Sequence, residues 1–146
     1  RRMEKRLDGP ITVIDDIAHS PEKAHSVCAT LRSIYSGKVI TVFEPNIGGR
    51  SRESQGKYDS AFEASDIVII PRLTKLKINE NTELQPMEGL ELSQVIGKTH
   101  KQTIYIDDDE KVIEYISKNT REGDVIAFLG SHGFRGIIEQ TVKNLQ

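Results

Sequence analysis

Ile11-Thr12-Val13-Ile14-Asp15-Asp16-Ile17-Ala18-His19-Ser20-Pro21-Glu22 runs from four β-branched residues through a polar turn straight into a helix start. The first four read as a buried strand that stops at the two carboxylates. Ser20 is suited to cap a helix. Pro21 suits its first position because it has no N–H to leave unpaired, and Glu22 favours the positive end of the dipole. Ala24, Val27, Cys28, Leu31, Ile34 and Tyr35 then recur at the helical period, and Gly37 closes the segment. A strand handing over to an amphipathic helix is how parallel strands are connected, since they need a crossover.

The same alternation continues outward from this stretch. Val39 to Phe43 reads as a second strand closed by Glu44-Pro45, followed by a loop, Asn46 to Arg52, and a helical stretch through Phe62 and Ala64. Asp66 to Ile70 is a third strand stopped by Pro71. Residues 72–86 are polar and weakly periodic, a long excursion. Met87 to Ile96 reads as a helix, Thr103 to Ile106 as a fourth strand, and Asp107 to Asn119 as a helix burying Val112, Ile113 and Ile116. Asp124 to Leu129 is a fifth strand and Phe134 to Leu145 the last helix. The pattern is that of an α/β domain with a mostly parallel sheet.

A chain of 146 residues suits one domain, residues 1–146, and its 36% hydrophobic content allows a core without disulfide or metal staples. Twenty basic against 22 acidic residues leave a net charge of −2, which argues against nucleic acid or an anionic membrane as partner. No apolar run approaches the roughly 20 residues that span a bilayer. The start, Arg1-Arg2-Met3-Glu4-Lys5-Arg6, has no apolar segment behind it and looks cut from something longer. Cys28 is the single cysteine, which excludes an internal disulfide and makes a reducing cytoplasm the simplest home.

In open α/β sheets ligands bind beyond the carboxyl ends of the strands, and the candidate residues gather there. Asp15 and Asp16 can accept from a ribose or hold a magnesium-bound water, with His19 donating to an anion. They can equally cap backbone amides. Gly48-Gly49-Arg50-Ser51-Arg52 sets two guanidinium groups on a flexible backbone, which suits carboxylate or phosphate but also describes a plain surface loop. The turn Gly130-Ser131-His132-Gly133 precedes a helix and can meet an anion with its amides and Ser131, or simply turn the chain. Asp107-Asp108-Asp109-Glu110 opens a helix, where acids favour the dipole, so it reads as structural. Gly97-Lys98-Thr99 is no Walker A loop, because Leu92 stands where its first glycine belongs.

In their order and spacing these motifs resemble the C-terminal domain of a Mur ligase, the ATP-dependent amide-bond ligases of bacterial peptidoglycan. Arg1-Arg2-Met3-Glu4 matches the basic pair with which that domain opens. Asp15-Asp16-Ile17-Ala18-His19-Ser20-Pro21 matches its D-D-[YF]-A-H-H-P type of motif, with Ile17 for the aromatic residue and Ser20 for the second histidine. Val42-Phe43-Glu44-Pro45, with Arg50 in the loop beyond, matches its V-F-[EQ]-P strand end. Glu44-Pro45 and the ending Ser131 to Ile137 are most similar to the murein peptide ligase branch, which joins a recycled tripeptide to UDP-N-acetylmuramate. The branch that adds L-alanine to the same nucleotide sugar is the neighbour.

The resemblance implies a Rossmann-like three-layer domain and a role within a longer enzyme. It implies ATP contacts from Arg2 and Asp16, and acceptor placement by His19, Arg50, Ser131 and His132. Mg2+ would be held mainly by a central domain, and the partners would be UDP-N-acetylmuramate, an amino-acid or peptide acceptor, and two further ligase domains in cis. Residues 1–146 contain no phosphate loop of their own, so this domain alone is expected to be inactive. A binding module that kept the fold without catalysis is the alternative.

Overall fold

The apolar runs assemble into a single six-stranded sheet in the computed structural model, which describes residues 1–75 and 85–146. In chain order the elements are β1 (Glu4–Asp8), β2 (Thr12–Asp16), α1 (Pro21–Ile34), β3 (Val39–Glu44), β4 (Ile67–Pro71), α2 (Gly89–Gly97), β5 (Thr103–Ile106), α3 (Asp109–Asn119), β6 (Val125–Gly130) and α4 (Ile137–Leu145). The strands lie in the order β1-β2-β6-β3-β4-β5. All neighbours are parallel except β1, which runs antiparallel to β2.

Successive residues of a strand point to opposite faces, and here both faces are covered. Ile14, Phe43, Ala127 and Leu129 pack with Ala24, Cys28, Leu31 and Leu92 of α1 and α2. Val13, Val42, Ile126 and Phe128 pack with Val112, Ile116, Ile137 and Ile138 of α3 and α4 on the other side. This double burial is why the strands read as continuous apolar runs and not as alternations. It yields the expected Rossmann-like α/β architecture of three layers.

The topology sets the position of the site. After β3 the chain moves outward to β4 and β5, then returns through α3 to insert β6 between β2 and β3. The strand order reverses there, so the carboxyl ends of β2, β6 and β3 stand side by side.

Three expectations are corrected. β1 was not read from sequence at all: Glu4-Lys5-Arg6-Leu7-Asp8 carries mostly charge, which suits an edge strand and hides it from a hydrophobic pattern. The helical stretch expected through Ala64 is instead two 3-10 segments, Gly48–Arg50 and Arg52–Tyr58, and then turns. Ser51, extended at ψ 150°, separates the two segments. Ile34, assigned to the buried face of α1, is 62% exposed, and the burying residues are Pro21, Ala24, Cys28 and Leu31. Ser20 does cap α1, its hydroxyl accepting from the Lys23 amide at 3.3 Å. Most of the 72–86 excursion lies outside the described residues.

Candidate functional site

β2 ends in two acids, and the pleat directs them to opposite faces of the sheet. Asp16, 7% exposed, accepts the Met3 amide on Oδ2 at 2.7 Å and the Ala18 amide on Oδ1 at 2.8 Å. It therefore ties the stretch before β1 to the turn after β2, and each oxygen keeps a lone pair for another donor. Asp16 and Arg2 line one groove of about 490 Å³ together with Met3, Ile17, Lys23 and Val27. Two cations, the buried Asp16, the exposed Glu22 carboxylate and an apolar wall thus share one concavity.

Asp15, 2% exposed, faces the other way. It accepts from Arg1 Nη2 at 2.8 Å and from Arg6 Nη1 at 3.1 Å. Arg1 Nη2 donates further to the carbonyls of Gly130 at 3.0 Å and His132 at 3.1 Å. The amide-capping alternative thus describes Asp16, whereas Asp15 is held by side chains alone.

Beyond β6, the turn Gly130 to Gly136 is unusual backbone. Phe134, Arg135 and Gly136 all have positive φ, at 59°, 54° and 90°. For the two side-chain-bearing residues this conformation is costly and needs fixing from outside. Phe134 is fixed by burial, edge-on to Phe128 with ring centroids 5.4 Å apart. Its ring leaves no room for a Cβ at Gly130, which would sit 2.9 Å from it. Arg135 is fixed by a fork onto Asp109, Nε to Oδ2 at 3.1 Å and Nη2 to Oδ1 at 3.0 Å, and by the Arg72 carbonyl at 2.9 Å. It also reaches buried Glu44 at 3.5 Å. Arg135 was missed in the sequence, where a lone arginine between glycines gives no signal of its partners. The acidic run before α3 is structural as read: Asp108 caps the Lys111 amide at 3.1 Å, while Asp109 takes Arg135.

The sequence candidates separate into groups. Arg2 and Asp16 meet in the groove. His19 stands close enough to His132 and Lys23 for both to disfavour its charged form. Burial, the largest cause, and then the neighbouring Lys23 and His132 hold its pKa below the ordinary value, which favours the neutral ring. Its Nδ1 is buried and makes no hydrogen bond among the described residues. Ser131 is half-buried and His132 exposed at the same edge. Arg50 is elsewhere in character: it is 1% exposed, and its Nε donates to the Met87 carbonyl at 2.9 Å, Nη1 to the Thr74 carbonyl at 2.7 Å and Nη2 to Glu88 at 3.1 Å. Its guanidinium closes the base of the excursion from inside. Among the described residues no group of three or more His, Cys, Asp or Glu side chains is arranged to hold a metal. Nor is any described helix long and apolar enough to cross a membrane.

The family model described as Mur ligase, glutamate ligase domain, matches residues 1–132. The chain belongs to the Mur ligase family. This Mur ligase domain is 31% identical over 149 residues to the UDP-N-acetylmuramate–L-alanine ligase of Trichormus variabilis, covering 99% of this chain and 29% of that one. It is 30% identical over 150 residues to the enzyme of the same description from Acetivibrio thermocellus, covering 100% and 31%. The domain thus spans under a third of the length of these relatives. Its fold recurs in the murein peptide ligase of Psychrobacter arcticus, with TM-score 0.77 at 21% identity over 99% of this chain and 30% of that one. It also recurs in a domain of a putative UDP-N-acetylmuramate:L-alanyl-gamma-D-glutamyl-diaminopimelate ligase from Haemophilus ducreyi, with TM-score 0.70 at 21% identity over 99% and 100%.

Proposed function

We propose that this chain is the C-terminal domain of an ATP-dependent ligase that joins an amino acid or peptide to UDP-N-acetylmuramate in the cytoplasm. The observation that carries the reading is the family match across residues 1–132, whose curated relatives at about 30% identity ligate L-alanine to that sugar nucleotide. Those relatives favour L-alanine as acceptor over the tripeptide that the resemblance to murein peptide ligase suggested.

The groove chemistry fits a nucleoside polyphosphate. Arg2 and Lys23 would meet phosphate, and the remaining lone pairs of Asp16 would accept ribose hydroxyls, while Ile17 and Val27 offer an apolar wall to the base. In the full enzyme, ATP phosphorylates the donor carboxylate and the acceptor amine then displaces phosphate from it. This chain would orient the reactants: neutral His19, with Ser131 and His132, would place the acceptor at the same edge. Arg50 would support that edge from behind, as the clasp of the excursion, without touching the acceptor. Mg2+ would be held mainly by the central domain. A central phosphate-loop domain and a UDP-sugar domain would complete the enzyme in cis.

The test is phosphate release from ATP by the full-length protein carrying this domain. UDP-N-acetylmuramate is supplied with L-alanine or with L-alanyl-γ-D-glutamyl-diaminopimelate. Release that needs L-alanine assigns the first branch, and release that needs the tripeptide assigns the other. Arg2→Ala raises KM for ATP about tenfold or more, the worth of one charge-assisted contact. No release with either acceptor, from a folded protein, overturns the ligase reading in favour of a binding module.

A further inference from the structure

The antiparallel pairing of β1 with β2 sets Glu4 opposite Asp15 and leads Arg1-Arg2 past the end of β2, where the Arg1 carbonyl accepts the Ile17 amide. Because neighbouring residues of a strand face opposite ways, Asp15 and Asp16 sort to the two sides of the sheet. The two arginines, which precede β1, follow them by contact: Arg1 onto Asp15 and Arg2 into the groove that Asp16 borders. Asp16 shares the side of Ile14, in the α1/α2 core, and borders the groove with Arg2. Asp15 shares the side of Val13, in the α3/α4 core. There it holds Arg1 and Arg6, and Arg6 continues to Glu139 of α4 at 3.1 Å. The groove and the Ser131–His132 turn therefore lie on either side of one strand end, and a single peptide bond separates the arginines that serve them.

Arg1 is tied at three places. Its carbonyl accepts the Ile17 amide at 2.8 Å, and Ile17 lines the groove. Its guanidinium is held by the buried Asp15 carboxylate, Nη2 to Oδ1 at 2.8 Å, while Arg6 holds the same carboxylate from the other oxygen. The same Nη2 then donates to the carbonyls of Gly130 and His132. No other side chain among the described residues donates to those two carbonyls. The far end of the turn is immobilised by Phe134 and Arg135, so the near end answers to Arg1. A guanidinium is planar and rigid, and a small displacement of it moves both carbonyls together.

We propose that Arg1 is a positioning residue coupling the Arg2–Asp16 groove to the Ser131–His132 turn, so that a nucleoside polyphosphate in the groove resets the turn. The proposal rests on the nucleotide reading of the groove. A ligand engaging Arg2 and Asp16 pulls on the peptide joining Arg1 to Arg2 and on the strand end that carries Asp15. Both pulls converge on one guanidinium. By linkage, an anion bound at the turn strengthens nucleotide binding by the same factor.

Amide 1H–15N spectra of the full-length protein carrying this domain, titrated with ADP, test this. In the wild-type protein ADP shifts the amides of Met3, Ile17 and Ala18 at the groove and those of Ser131, His132 and Gly133 at the turn. In Arg1→Lys, which keeps the charge but not the fork, the groove still responds and the turn no longer does. Arg1→Ala behaves the same way. Unshifted amides of Ile126 and Ala127 in the ligand-free variants establish that the sheet is intact. A turn that follows ADP equally in Arg1→Lys and wild type overturns the proposal, as does a wild-type turn that stays still while the groove responds. A silent groove sinks the nucleotide reading and the coupling with it.

Discussion

Arg50 carries a full charge with 1% of its surface exposed, so its energetics depend on what its donors meet. Two of the three partners are main-chain carbonyls, of Met87 and Thr74, while the ionic partner Glu88 is 76% exposed at its side chain. An ion pair with one end in water contributes about 0–1 kcal/mol. Two carbonyls stripped of their donor, and a void where the side chain was, cost far more. We expect Arg50→Ala to lower unfolding free energy by about 2–4 kcal/mol and Glu88→Gln by less than about 1 kcal/mol in urea titrations. Equal costs would sink the clasp. Arg50→Lys should recover little, since an ammonium cannot span three divergent acceptors held by a planar fork. The sequence shows an arginine among glycines and so suggests anion binding. What it cannot show is that Met87 and Thr74 return to the same place, a long-range fact. Asp16 and Arg2 were easier to connect, because two motifs of the resembled family carry them and both border one groove.

At the scale of elements, what was legible was an unbroken apolar run or an apolar stripe at the helical period. The five parallel strands and four helices stand out because both sheet faces are buried and each helix has one apolar stripe. β1 escaped because its register is set by β2 and its composition by solvent. The Gly130–Gly136 turn escaped differently: its shape is imposed by the α3 start, through Asp109. That link predicts a pH effect. Hydrogen bonding to Arg135, then to Arg72, with their charges, holds the Asp109 carboxyl below the ordinary value of 3.8 against the opposing effect of burial. A folded pKa below the unfolded one stabilises the fold at all pH values above the unfolded pKa, and the benefit vanishes as pH falls through the folded one. The stability difference between wild type and Asp109→Asn should therefore be constant above about pH 5 and shrink on acidification below about pH 4, measured by urea titration at each pH. In Arg135→Gln the Asp109 carboxyl carbon should titrate at a higher pH than in wild type. An unmoved midpoint would mean that Arg135 is not what holds it.

The whole molecule has one internal reporter of its integrity, Cys28. It lies under α1 against the sheet, 0% exposed, with Sγ 3.4 Å from the Thr41 hydroxyl. Burial pushes its thiol up to about 11, outweighing the Thr41 contact and the charge of Arg32, so thiolate is scarce at neutral pH even before access is considered. Neither condition can be relaxed locally. Cys28 shares one core with Ala24 and Leu31 of its own helix and with Ile14, Phe43 and Leu129 from the three central strands. Exposing the sulfur means lifting α1 off β2, β6 and β3 at once, the same strands whose ends carry the groove and the turn. Labelling by a thiol reagent at pH 8 should therefore proceed only through global opening, with the free energy from the protected rate matching that from urea unfolding. Arg50→Ala should speed labelling by the factor that its stability loss dictates. Labelling much faster than global opening would instead reveal that α1 detaches alone, and the two halves of the site would then lack the common rigid base that coupling through Arg1 requires.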